Sequence, residues 1–404
     1  MPTPTPLHKV ALTSVDDRRI TDFAQRLVAT ASPSGEEDAV AAIVAQEMRD
    51  LGFDVDVDPF GNVTGVLDAG PGPCVMLDSH MDTVGVTDRS AWSFDPHGEI
   101  SDGRLYGRGA MDMKGPLAAS VYGVAALRDK LEHGRVVVSA SVAEELVEGP
   151  MATAVAARIK PQAVIICEAT SLRLSLGQRG RAEITVDVGG RSTHSSRPDL
   201  AINAVEVMTN IIAAIRDVSM PTGPADLGPA ILVLTDIVSR LYPGNSVIPD
   251  RCVATYDRRT LPTETESDVL RPIRKAIGHA LKSHPGATAT AAIARDVFQT
   301  YTGALVDELN FAPAWLTSID ATIARIALAA LEAADMKREI SAWDFCTNGS
   351  GTAGRLGLPT IGFGPGDEAL AHRIDEYIEL AEMHNGARGY AAIVQALTEM
   401  KAVA

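Results

Sequence analysis

The sequence predicts an α/β protein whose mostly parallel sheet is flanked by helices and interrupted by an inserted α+β unit with an open-faced sheet. Two observations carry this. The short apolar runs CVML, RVVVSASVA and AVIIC have the texture of strands buried on both faces, and they alternate with helical stretches such as GPLAASVYGVAALRD and GPMATAVAARI. Near Gly180 the texture changes to a βαββαβ pattern, and after about Asp296 the α/β texture resumes. The expected division is a larger domain of residues 1–180 and 297–404 carrying an inserted domain of residues 181–296.

The elements follow in order. The PTPTP start reads as a frayed end. Ser34 and Glu37 stand in capping-box spacing ahead of an amphipathic helix that stops at Gly52, and FDVDVD then alternates as a strand. In the inserted unit RAEITVDV is a strand, DLAINAVEVMTNIIAAIRDV a long helix, AILVLTDIV and RCVATYDR two more strands, and about Glu266 to Ser283 a second helix. The chain closes with a helix at TIARIALAALEAA, a strand at PTIGF and a terminal helix.

With 404 residues the chain is long enough for two to three domains at roughly 150 residues each. Hydrophobic residues at 46% and charged residues at 22% mark a globular protein, and aromatics at only 4% require an aliphatic core. Lys+Arg 36 against Asp+Glu 52 gives a net charge of −16, which repels phosphate backbones and anionic lipid, so neither nucleic acid nor membrane is an expected partner. The N-terminal residues lack the pattern of a secretory leader, and no uncharged apolar run approaches the roughly 20 residues that span a bilayer. A cytoplasmic location is expected. Cys74, Cys167, Cys252 and Cys346 are far apart and form no CxxC pair, so they read as buried free thiols. Any metal would therefore be held by nitrogen and oxygen.

Ligands of open parallel sheets bind beyond the carboxyl ends of the strands. Polar side chains follow three apolar runs there: His80 and Asp82 in CVMLDSHMD, Glu144 and Glu145 in VVVSASVAEE, and Glu168 in AVIICE. Asp112 stands in the Gly-rich loop GRLYGRGAMDMKG. Carboxylates converging on one edge repel unless protons or cations neutralise them, and imidazole with carboxylate suits zinc, manganese or cobalt. Taken singly, Asp112 reads equally well as a helix N-cap and the paired glutamates as a solvated surface.

In their linked order the motifs HMDTV, GRGAMDMKG, AEE, CE, STHSSRP with LAINA, and FGPGDEALAH resemble the co-catalytic zinc family of acetylornithine deacetylase, succinyl-diaminopimelate desuccinylase, aminoacylase and glutamate carboxypeptidase. The resemblance covers nearly the whole chain. It implies a zinc-peptidase-like catalytic domain binding two zinc ions, with cobalt or manganese as substitutes, and an inserted lid and dimerisation domain. His80 and Glu168 resemble the ligands of the first site, Asp112 the bridging carboxylate, and Glu145 and His372 the ligands of the second. Asp82 resembles the carboxylate that orients His80, and Glu144 the general base. Adjacent residues leaving a strand point in different directions, so Glu145 can hold metal while Glu144 faces the water. A cis peptide after Asp112 is also implied.

The lid supplies further candidates. His194, in STHSSRP, resembles the histidine that stabilises the oxyanion, often in the partner subunit's active site. Asn245, Arg259 and Arg179 resemble residues approaching the substrate, and an arginine fork suits a carboxylate. Arg258 is expected as a solvated charge. The chain departs from the family's Gly-Gly-Thr-Asp type segment, reading Asn348-Gly349-Ser350-Gly351-Thr352-Ala353, where backbone amides with Gly351 and Thr352 would hold a substrate carboxylate. His8, His97, His133, His279, His284 and His384 read as surface or packing residues.

The function implied is a zinc-dependent amidohydrolase that removes an N-acyl group from an amino acid by metal-activated water. A second reading is a carboxypeptidase or dipeptidase with the same chemistry, and a third is a non-catalytic binding protein on the same fold. The expected partners are a small N-acyl amino acid or short peptide, and a second copy of the chain. That homodimer would pair lid domains through the open-faced sheet and the helix rich in Ala, Val and Ile.

Overall fold

A computed structural model describes residues 15–240 and 242–399; the PTPTP start and His8 lie outside them. The chain separates into two compact units. One runs to Gln178 and resumes at Val297–Val306 and from Leu316 onward; the other is Arg179–Asp296 with Asp307–Trp315.

In the first unit the central sheet runs, in spatial order, through the strands Asp54–Val57, Val63–Asp68, Arg135–Ser141, Cys74–His80, Ala163–Ile166, Thr360–Gly362 and Leu174–Gln178. The middle four are mutually parallel, and the antiparallel strands lie outside them. Every residue of Cys74–His80 and of Ala163–Ile166 is buried, which is why these runs carry no alternation. The helix Gly115–Ala125 is buried nearly all round and approaches Leu380–Thr398 so closely that a Cβ on Gly123 would stand 2.5 Å from the Ala387 carbonyl oxygen. Val, Leu, Ile and Ala dominate this core, each fully buried larger side chain contributing about 1.5–3 kcal/mol.

The second unit is a sheet ordered Ile231–Ser239, Arg251–Thr260, Gly180–Gly189 and Thr288–Ile293, antiparallel throughout. The Gly180–Gly189 strand alternates strictly between buried and half-buried residues, and its buried side packs with the helices Ala204–Arg216 and Glu266–Ala280. Glu266–Ala280 opens with a complete capping box between Thr265 and Asp268.

Four expectations need correction. Ser34 and Glu37 make no capping box: Glu37 itself precedes the helix Asp38–Asp50 without a side-chain cap bond. The first lid helix begins at Ala204, capped by Asn203, while Pro198–Leu200 is a separate 3₁₀ turn. Its apolar side, with Val207, Met208, Ile211 and Ile215, is consumed by its own sheet rather than offered to a partner. Asp307–Trp315 belongs with the second unit, because Phe311 and Ala312 pair with Ala182 and Arg181. All four cysteines are buried free thiols, and among the described residues no helix is long and apolar enough to cross a membrane.

Candidate metal centre

Three adjacent strands deliver most of the site. Cys74–His80 lies between Arg135–Ser141 and Ala163–Ile166, parallel to both, and strands in a sheet sit about 4.8 Å apart. Because all three chains leave the sheet in the same direction, His80, the Glu144–Glu145 pair and Glu168 emerge side by side. Asp112 comes from the loop before Gly115–Ala125, where Gly109 adopts φ +80° and a Cβ would stand 2.5 Å from Thr83 Cγ2. The peptide between Asp112 and Met113 is cis.

His80 is buried. Its Nδ1–H donates to the Asp82 carbonyl oxygen at 2.9 Å, which leaves Nε2 facing Asp112 Oδ1 at 3.1 Å, Glu168 at 3.4 Å and Glu144 at 3.8 Å. The other oxygen of Asp112 is 3.3 Å from His372 Nε2, which in turn lies 3.0 Å from Glu145. Asp112 thus faces two imidazoles at once. Donor atoms of His80, Glu144 and Glu168, and of His80, Asp112 and Glu145, each lie within 4.8 Å of one another.

Electrostatics point the same way. Burial and the neighbouring carboxylates push Glu144 well above the usual carboxylate range, and burial takes Glu168 to about 7. Burial alone would also raise Asp112, but hydrogen bonds from His372 and His80 outweigh it and hold its carboxyl low. Hydrogen bonds to Asp112 and Glu145 lift His372 to about 10; His80, despite burial, is raised well above its ordinary value by Glu144 and Asp112. Four carboxylates clustered this closely require protons or cations to offset their repulsion. Two imidazole nitrogens with carboxylate oxygens form a donor set that fits a pair of divalent metals, zinc among them.

Asp82 does more than face the His80 ring. Its carboxylate Oδ1 accepts the Glu144 N–H at 3.1 Å, and Oδ2 accepts the Glu145 N–H at 3.0 Å and the Ser34 hydroxyl at 2.6 Å. Glu37 accepts the Ala143 N–H at 3.0 Å, holding the left-handed residue (φ 55°) that precedes the pair. Behind the loops, Arg108 and the buried Glu376 form an ion pair at 2.5 Å. Glu376 Oε1 accepts the N–H groups of Met111 and Asp112 at 3.1 and 3.2 Å, and Arg108 donates to the His372 carbonyl at 3.3 Å.

A profile of the Peptidase family M20/M25/M40 matches residues 76–396. The chain belongs to that family. Members of the M20/M25/M40 family hydrolyse amide bonds, and this chain is such an enzyme. It is 33% identical over 382 residues to the uncharacterized protein YgeY of Escherichia coli (strain K12), covering 93% of each chain. It is 26% identical over 378 residues to acetylornithine deacetylase of Aliivibrio fischeri (strain MJ11), covering 88% of this chain and 93% of that one. The crystal structure of the Bacillus subtilis YXEP protein, described as a dinuclear metal binding peptidase from the M20 family, superposes with a TM-score of 0.68 at 14% identity, covering 95% and 99% of the two chains. That likeness establishes the M20 fold.

The first unit thus brings together His80, Asp82, Asp112, Glu144, Glu145, Glu168 and His372. The remaining candidates of the M20 chain lie in the second unit, apart from Gly351 and Thr352. There the ribbon Thr193–His194 with Val247–Ile248 carries both His194 and the loop of Asn245, which is exposed at φ 38°. The Ser196 N–H donates to His194 Nδ1 at 3.1 Å, so the neutral ring carries its proton on Nε2. Arg259 is paired with Asp257 at 2.8 Å, and Arg179 is half-buried at the start of this unit.

Arg258 corrects its expectation. It is buried and paired with Glu264 at 2.7 Å, since alternation in Arg251–Thr260 turns position 258 inward and 259 partly outward. Gly351 and Thr352 also differ from expectation. A Cβ on Gly351 would stand 2.2 Å from the Gly149 carbonyl oxygen, the Gly351 amide donates to Asn348 O, and the buried Thr352 hydroxyl accepts from Thr360. These groups pack the loop against the helix Pro150–Ile159. His97, His133 and His279 are exposed, while His284 and His384 are half-buried beside Asn210 and Thr21. Sequence reasoning gave Ser34 and Glu37 a helix-capping role instead of their places beside Asp82 and Ala143, and missed Arg108 and Glu376, which stand within the GRGAMDMKG and AHRIDE segments that carry Asp112 and His372.

Proposed function

We propose that this enzyme is a zinc-dependent amidohydrolase that removes an N-acyl group from an amino acid. The observation that carries the reading is Asp112 standing between His80 and His372, each imidazole backed by its own glutamate, Glu168 and Glu145. His80, Glu168 and Asp112 would hold one metal, and Asp112, Glu145 and His372 the other. The bound pair supplies Lewis-acid polarisation of the scissile carbonyl and acidifies water. Glu144, buried beside His80, takes the proton from the attacking water and passes it to the departing amine. Asp82 holds the backbone from which Glu144 and Glu145 project.

In this reading the second unit, expected over residues 181–296 and extended here by Asp307–Trp315, is a lid and dimerisation domain. His194 offers Nε2–H to the developing oxyanion. Asn245, Arg259 and Arg179 approach the substrate. The exposed edge strand Ile231–Ser239, with Val233 and Val238 about half exposed, is the surface for a second copy of the chain, and the location is cytoplasmic. The likeness to acetylornithine deacetylase supports the deacylase reading; the peptidase description of the YXEP protein favours the second, a carboxypeptidase or dipeptidase.

The test is a panel of N-acyl amino acids and unblocked dipeptides, run on chelator-treated protein before and after adding zinc. Turnover of N-acyl amino acids only after zinc is the expected result. Turnover of dipeptides alone replaces it with the peptidase reading, and full activity without metal refutes both.

A further inference from the structure

We propose that Arg108 and Glu376 form a clamp that sets the position of Asp112 and His372, and through them the affinity of the site those two residues share with Glu145. The inference rests on the two-metal reading above. His80 and Glu168 stand at or just past the ends of adjacent buried strands, so the sheet itself fixes them. Asp112 and His372 have no such support. Asp112 sits in a non-helical kink before Gly115–Ala125, and His372 is a half-exposed residue at φ 61°.

The short ladder of Arg104–Gly107 with Tyr377–Glu379 brings these two segments together, and just past its end a buried ion pair ties them nearest the site. Glu376 spends Oε2 on Arg108 at 2.5 Å and Oε1 on the N–H groups of Met111 and Asp112. Arg108 spends one nitrogen on Glu376 and a second on the His372 carbonyl at 3.3 Å, with its guanidinium 5.3 Å from the centre of the Trp92 ring. The Gly107 N–H also donates to the Glu376 carbonyl at 2.9 Å. A planar fork with several donors can tie a carboxylate and a carbonyl at once, which a lysine cannot do in one geometry. Neither residue faces the donor atoms themselves. Both are positioning residues, acting on where Asp112 and His372 stand.

The experiment is a zinc titration of metal-free protein by calorimetry, with far-UV circular dichroism and melting temperature recorded alongside. Removing one partner of a buried pair strands the other charge, so the principal variant is the double substitution Arg108→Met with Glu376→Leu, which removes both. A second variant, Arg108→Met with Glu376→Gln, restores an oxygen for the Met111 and Asp112 N–H groups. Leu27→Ala, in the core of the same unit, controls for general loss of stability.

Wild type is expected to take up two zinc ions. The apolar pair should keep one tight site and weaken the other by about ten- to a hundredfold, the usual effect of losing a group that orients a metal ligand. The Gln variant should recover only the part of that loss that runs through the Met111 and Asp112 N–H groups, since Arg108→Met leaves the His372 carbonyl unheld, and Leu27→Ala should leave both affinities unchanged. Two wild-type affinities in the apolar pair would overturn the clamp, as would equal loss of both sites in it and in Leu27→Ala. Failure of the double variant to fold, with the Gln variant folding and binding two zinc ions as tightly as wild type, would also overturn it. A wild type that binds fewer than two zinc ions overturns the two-metal reading itself, a failure seen before any variant is compared.

Discussion

Replacing Asp82 with asparagine is expected to destabilise the protein and its activity together, although the side chain keeps its shape. Asp82 is fully buried, and its two oxygens serve different donors: Oδ1 the Glu144 N–H at 3.1 Å, Oδ2 the Glu145 N–H at 3.0 Å and the Ser34 hydroxyl at 2.6 Å. Asparagine has one acceptor oxygen. Whichever way its amide turns, one of the two N–H groups faces an NH₂ and is left buried without a partner; the Ser34 hydroxyl can rotate to accept, but a backbone N–H cannot. An unmet buried donor costs roughly 1–3 kcal/mol and the lost charge assistance on the surviving bonds about 1 kcal/mol, so the expected loss is about 2–4 kcal/mol. Calorimetric melting of metal-free protein should show it as a fall of several degrees. Because the unmet group belongs to the backbone of Glu144 or Glu145, the pair shifts, and misplacement of about 1 Å lowers kcat/KM by roughly 10²-fold in zinc-loaded enzyme. An asparagine variant within about 0.5 kcal/mol of wild type, the range of an inconsequential surface change, and equally active would refute the role given to this carboxylate.

Two further outcomes are expected. Glu144→Ala should lower turnover by about 10² to 10⁴-fold while metal uptake stays intact, whereas Glu145→Ala should lose metal from one site; reversed phenotypes in a zinc-binding assay would exchange the two roles. If His194 serves the partner's site, then Glu144→Ala and His194→Ala are each nearly inactive, but co-expressed subunits form mixed dimers with one intact site and should recover about one quarter of wild-type activity by two-fold symmetry. A mixture as inactive as its components would place His194 in its own chain's site.

The local order of the chain was enough to read its strands, its helices and the residue types of its metal centre. Buried strands are apolar runs, and the polar side chains that end them mark the sheet edge where ligands gather, so His80, Glu144, Glu145 and Glu168 could be named without coordinates. Periodicity is a property of neighbours. It says nothing of partners distant along the chain, and apart from the local start of the lid helix at Ala204 the corrections are of that kind. Ser34 looks like a helix cap, yet its hydroxyl is taken by Asp82. Asp307–Trp315 looks like part of the larger domain, yet Phe311 pairs with Ala182. Arg258 looks solvated until the neighbouring strands and Glu264 enclose it, and Thr352 looks available until Thr360 meets its hydroxyl. Arg108 and Glu376 are ordinary charges in sequence and a buried pair only in the fold. Burial and pairing of charges depend on what the rest of the chain brings to the same place, and the free energy that selects those partners exists only once the tertiary structure has excluded water around them.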